Sequence, residues 1–124
     1  MKEKKILATS LLRGVIAKIT EGSTASNIFR CLTVSRRMVN TGTCTWHDLG
    51  TAEEALMSIL AVAQRREVIQ EVSGLIHSHT TDPGELWVIY EAVVLHNISC
   101  DELPGVSEEV FDQALERAES SLED

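Results

Sequence analysis

Aromatic residues are scarce in this chain of 124 residues, where Phe, Trp and Tyr together make up 4% of the sequence. A core with so few aromatic side chains must be built from Leu, Ile, Val and Ala, which favours packed helices over sheets. Hydrophobic residues at 44% and charged residues at 24% are typical of a folded globular protein. The length matches the commonest size of one domain, so we expect a single helical domain over residues 1–124.

Cysteine is also rare. The three cysteines, Cys31, Cys44 and Cys100, are too few for a disulfide framework, and an odd number of them cannot all be paired within one chain. No apolar run approaches the roughly 18 residues that a membrane-spanning helix needs. The lysine-rich first residues lead into a segment that polar side chains interrupt, which argues against a secretory signal. These absences predict a cytoplasmic protein that does not contact a membrane.

Acidic residues are scarce in the first third of the chain and abundant afterwards. Residues 1–45 hold eight lysines and arginines against two acids, a net charge of +6. The remaining residues hold three against seventeen, a net charge of −14, which gives the total of −8. Such a split indicates an oppositely charged partner for each part, or attraction between the two parts within the fold or across a dimer.

Apolar spacing and helix start signals predict an all-α fold, a compact bundle of about five helices. The helix start signals are the capping box Thr51-Ala52-Glu53-Glu54, then Asp82-Pro83-Gly84-Glu85, and then Ser107. Ser23 offers a cap for the second helix. The third segment is either one long central helix, bent near Gly74, or two helices, because the polar residues Gln64 to Glu67 interrupt its apolar spacing. The segments begin and end near Glu3 and Ile19, Thr24 and Asn40, Thr51 and His77, Asp82 and Asn97, and Ser107 and Leu122.

Residues 26–40, SNIFRCLTVSRRMVN, have a spacing that resembles a helix-turn-helix, with a turn at Thr33 and Val34. Ser35 would then cap a recognition helix that projects Arg36 and Arg37 toward DNA, while Arg30 would hold the phosphate backbone.

The same residues also fit one continuous helix. Phe29 stands where a small residue lets the two helices cross, and Thr33 replaces the usual glycine of the turn. Apolar residues keep helical spacing from Ala25 to Val39, with no Gly or Pro to force a break. The sequence favours a single helix from Thr24 to about Asn40 and leaves DNA binding through residues 24–40 as the alternative.

Two further features indicate contact with a protein. The last predicted helix carries a row of carboxylates at spacings of three and four, which would suit a basic partner or would be a solvated face. The row consists of Glu109, Asp112, Glu116, Glu119 and Glu123. Trp46 and Trp87 lie beside segment boundaries, where an exposed Trp marks a contact surface and a buried one closes the end of a bundle.

Metal binding and catalysis have weak support in the sequence. Three short pairs of Cys and His could supply tetrahedral ligands only if the fold brings them together. The weak metal candidates are Cys44, His47, His77, His79, His96 and Cys100. No phosphate-binding loop, nucleophile elbow or dinucleotide fingerprint is present, so neither an enzyme nor a cofactor is predicted.

Together these features favour a small non-enzymatic regulatory or adaptor protein that binds another protein and forms a homodimer. The alternative is a DNA-binding regulator in which Arg30, Ser35, Arg36 and Arg37 contact DNA. A weaker alternative is a metal-dependent helical enzyme.

Overall fold

A computed structural model describes residues 2–123, which form five α-helices and no β-strand. The all-α prediction is confirmed, and the third segment is one helix of 25 residues. The α-helices are α1 (Lys2–Ala17), α2 (Ala25–Asn40), α3 (Glu53–His77), α4 (Pro83–Tyr90) and α5 (Glu108–Glu123). A π-helical turn, Glu91–Leu95, continues α4, and a short 3₁₀ helix, Cys100–Glu102, precedes α5.

Side-chain caps explain where three of these helices begin. The Asp82 carboxylate accepts a hydrogen bond from the Glu85 amide at 3.1 Å, and the Ser107 hydroxyl accepts one from the Val110 amide at 3.3 Å. Both caps agree with the sequence-based prediction, because these side chains satisfy amides in the first helical turn. The predicted cap of α2 is wrong. Thr24 accepts from the Asn27 amide there, whereas the Ser23 hydroxyl accepts from the amide of Thr20.

The chain divides into two compact units, with the boundary between Arg65 and Arg66 inside α3. Unit 1, up to Arg65, has its own apolar core. Residues from α1, α2, the segment 41–52 and the first half of α3 build this core, which includes Leu12, Ile28, Leu32, Leu49, Leu56, Leu60 and Ala63.

Unit 2, from Arg66 onward, has a separate core. The α4 helix packs against α5, whose small buried residues Ala114 and Ala118 allow a close approach. The rest of this core is Val72, Ile76, Leu86, Ile89, Ala92, Ile98 and Leu103. The expectation of one domain over residues 1–124 stays a prediction.

Candidate interaction surfaces

The α2 helix runs without interruption through the segment that resembles a helix-turn-helix. It extends from Ala25 to Asn40, so the proposed turn at Thr33 and Val34 is wrong and the single helix is confirmed. Ser35 is fully buried, and its hydroxyl donates to the Cys31 carbonyl at 2.7 Å. Ser35 therefore neither caps a recognition helix nor reaches the surface of unit 1.

The three arginines of α2 have different environments. The Arg36 side chain forms an ion pair with Glu53, with 3.1 Å between Nε and Oε2, and so joins α2 to the first turn of α3. Arg30 and Arg37 are exposed and lie seven residues apart, which is two helical turns. One exposed face of α2 therefore carries two guanidinium groups, and the helix contains no acidic residue.

Helix α1 leaves most of its large apolar side chains in solvent. Leu12 is its buried residue, whereas Leu7, Leu11 and Val15 are 60%, 65% and 50% exposed. These three residues, here called the α1 stripe, recur every four positions and therefore follow one face of the helix. In the sequence, Leu11, Leu12 and Val15 have the spacing of one apolar helix face, and of these three only Leu12 is buried.

An apolar groove runs beside the α1 stripe, between α1 and α2. The groove has a volume of about 510 Å³ and is lined by Val15 and Ile19 of the first segment and by Val34 of α2. Lys18 and Arg30 also line the groove, so its apolar floor has cationic neighbours. This arrangement suits a partner that offers apolar side chains together with carboxylates.

A second groove of about 920 Å³ lies on another side of α1, against the segment 43–51. Lys2, Lys5 and Arg13 line it, together with His47 and Asp48. Hydrogen bonding to Thr45, through its backbone amide and then its side chain, lowers the pKa of the Asp48 carboxyl, with smaller contributions from His47 and Arg13. Asp48 is therefore an anion at neutral pH and offsets part of the positive charge.

Neither a protein-family model, a curated protein nor a solved structure matches this chain. An inference about its function therefore rests on the surfaces of the described residues. Of the helices within residues 2–123, none combines the length and apolarity needed to cross a bilayer.

The predicted carboxylate row is exposed on α5. Its members face away from Ala114 and Ala118, which are buried against the rest of unit 2. The exposed members are Glu109, Asp112, Glu116, Glu119 and Glu123. This amphipathic arrangement agrees with the predicted helix, and a role in partner binding stays a prediction.

The two tryptophans differ in exposure. Trp46 is half-buried against the core of unit 1, where it fills space. Trp87 is 45% exposed and stacks on Tyr90, with 5.8 Å between ring centroids. Val94 and Leu95 of the π-helical turn are also exposed, at 43% and 61%. Trp87, Val94 and Leu95 are here called the Trp87 patch. They are exposed apolar side chains along α4 and its π-helical turn, a type of turn that is frequent at functional sites.

The weak metal candidates are not brought together. Across residues 2–123, no three His, Cys, Asp or Glu side chains form a group that could hold a metal ion. His77 contacts the Pro104 carbonyl at 3.1 Å, and the imidazole of His96 lies 3.7 Å from the Glu91 carboxylate. The side chains that would have had to converge are those of Cys44, His47, His77, His79, His96 and Cys100.

All three cysteines are free thiols in protected positions. Cys31 and Cys44 are buried in unit 1, and Cys100 is half-buried in unit 2. Burial raises the pKa of the Cys31 thiol, although a hydrogen bond with Ser35 opposes the shift. Desolvation also raises the pKa of the Cys100 thiol, and nearby carboxylates of Glu108, Asp101 and Asp112 raise it further.

Proposed function

We propose that this chain is a non-enzymatic regulatory or adaptor protein of the cytoplasm that binds another protein through the α1 stripe and the adjoining groove. The observation that carries the proposal is the exposure of Leu7, Leu11 and Val15 along one face of α1. Fully burying such a side chain contributes roughly 1.5–3 kcal/mol relative to leaving it in water, and these three still expose half or more of their surface. A row of them beside a groove is typical of a surface that a partner covers.

The spacing of the α1 stripe suits contact between α1 and a helix or groove of the partner. An apolar helix that docks in a groove presents anchor side chains every three or four residues. The α1 stripe has that spacing, and Lys18 and Arg30 beside the groove would select against basic partners. Free thiols suit the reducing cytoplasm that the proposal assumes.

Site-specific photo-cross-linking in cells tests this proposal. A benzoylphenylalanine residue is placed at Leu11 in one variant and at Gln64, an exposed polar position of α3, in the matched control. We expect a covalent adduct with a protein from position 11 and none from position 64. Adding Val15→Glu to the first variant should remove at least about nine-tenths of the adduct, because it places a charge on the apolar contact.

The proposal fails if position 11 gives no more adduct than position 64, or if Val15→Glu leaves the adduct unchanged. A different protein and a second copy of the chain would both count as the bound protein, and the mass of the adduct separates them.

The arginine face of α2 supports DNA binding as a second candidate function. Arg30 and Arg37 are exposed on a helix that contains no acidic residue, and Arg36 is already paired with Glu53. Exposed arginines two turns apart can contact successive phosphates along a groove.

Fluorescence anisotropy of labelled random-sequence duplex DNA, at low and moderate salt, tests this second candidate. If α2 binds DNA, the double variant Arg30→Ala with Arg37→Ala should bind it more weakly. The slope of log K against log salt concentration should also become smaller, by about 1 for each phosphate that the variant no longer neutralises. The Arg36→Ala variant is the control and should change the slope less. Absence of binding at low salt, where electrostatic attraction is strongest, would remove the candidate.

A further inference from the structure

We propose that the protein which covers the α1 stripe is a second copy of this chain, and that the stripe meets the Trp87 patch of that copy. This inference rests on the proposed function, because it names the partner of the same surface. It makes the association heterologous, with unit 1 of one copy in contact with unit 2 of another.

The two surfaces match in length and chemistry. Leu7 and Val15 are eight residues apart on α1, and Trp87 and Leu95 are eight residues apart on α4 and its π-helical turn. Both surfaces are therefore about two helical turns long. The named side chains of both surfaces are large and apolar and are about half or more exposed. Contact between the two surfaces would therefore bury apolar area on each.

The charges of the two units are complementary. Up to Arg65 the sequence holds nine lysines and arginines against five acids, a net charge of +4. From Arg66 onward it holds two against fourteen, a net charge of −12. Contact between unlike units of two copies therefore lowers the electrostatic energy, whereas contact between two copies of unit 2 raises it.

The charges beside each surface also disfavour pairing of like with like. Lys4 and Lys18 lie seven residues on either side of Leu11, so an antiparallel pair of α1 stripes centred on Leu11 would set Lys4 of one copy opposite Lys18 of the other. A parallel pair would set each lysine opposite itself. Two Trp87 patches paired about their midpoint would likewise bring both copies of Glu91 together. Like charges at such positions destabilise an association.

Complementation between two defective copies tests the proposal. The stripe variant carries Leu11→Ser and Val15→Ser, and the patch variant carries Trp87→Ala and Leu95→Ser. The matched control carries Met57→Ser and Val62→Ser, since these two side chains are apolar and similarly exposed on α3. Sedimentation velocity over a range of concentrations measures association, and circular dichroism checks that each variant is folded.

We expect the natural sequence to associate, and each of the two variants alone to associate at least about tenfold more weakly, because few side chains carry most of an interface's energy. An equimolar mixture of the two variants should form a 1:1 complex, since it retains one intact stripe and one intact patch. The control should associate like the natural sequence, and added salt should weaken association.

Three results would overturn the inference. The natural sequence could be monomeric at all concentrations, the mixture could fail to form the complex, or one variant alone could retain full association, which would mean that like surfaces pair. If the natural sequence is monomeric while position 11 cross-links to a different protein, this inference fails and the proposed function stands. If position 11 cross-links to nothing, the proposed function fails as well.

Discussion

Thr33→Pro should lower the free energy of unfolding by about 3 kcal/mol or more, because Thr33 lies in the middle of a continuous helix. Proline has no amide hydrogen for the helical bond, and its ring collides with the carbonyl four residues earlier, which is that of Phe29. The Thr33 hydroxyl also donates to this carbonyl at 2.9 Å, a bond that any residue without a hydroxyl removes. Urea unfolding followed by circular dichroism measures the change.

The matched control is Thr33→Ala, which removes the same hydroxyl bond and keeps the amide. It should change the free energy of unfolding by a few tenths of a kcal/mol, in line with the good helix propensity of alanine. A helix-turn-helix with its turn at Thr33 would instead tolerate proline nearly as well as alanine. Equal stabilities of the two variants would therefore contradict the continuous helix.

Ile28→Ala should lower the free energy of unfolding by about 2–5 kcal/mol, since it deletes a fully buried side chain from the core of unit 1. Protein interiors are close-packed, so the neighbours of Ile28 would fill the resulting cavity only in part.

Phe29→Ala is the control for this second substitution. Phe29 is the next residue along α2 and has a larger side chain, yet it is 56% exposed. We expect its replacement to cost well under half as much as that of Ile28, because an exposed side chain leaves no cavity. A cost for Phe29→Ala that equals or exceeds the cost for Ile28→Ala would show that the buried face of α2 is assigned incorrectly.

The helices could be predicted from the sequence because their signals are local. Asp82 followed by Pro83, and Ser107 followed by two glutamates, specify helix starts through short-range bonds and the helix dipole. The apolar spacing of α2 is also a local signal, and it is uninterrupted. It favoured one continuous helix over the turn that the resemblance of residues 26–40 to a DNA-binding motif suggested. Local propensity and tertiary packing agree at these positions.

The exposed apolar surfaces could not be predicted in the same way. The apolar spacing of α1 shows that one side of the helix avoids water, but it does not show which of Leu11, Leu12 and Val15 finds a neighbour. That depends on where α2 and the segment 41–52 lie against the helix, which is a long-range property. The exposure of Leu95 depends on the π-helical turn, and no residue in that segment signals the change of helical type. The α1 stripe, and the part of the Trp87 patch that Val94 and Leu95 contribute, therefore become visible only in the folded chain.

The protected thiols have a practical consequence for labelling this protein. The thiolate is the reactive form of cysteine, and at neutral pH the raised pKa of Cys31 and of Cys100 keeps both protonated. Cys44 is shielded by burial in unit 1. A cysteine introduced at an exposed position such as Gln64 would react with a maleimide well before the native thiols do. A fluorophore or spin label could thus be attached at one chosen point while every natural cysteine stays in place.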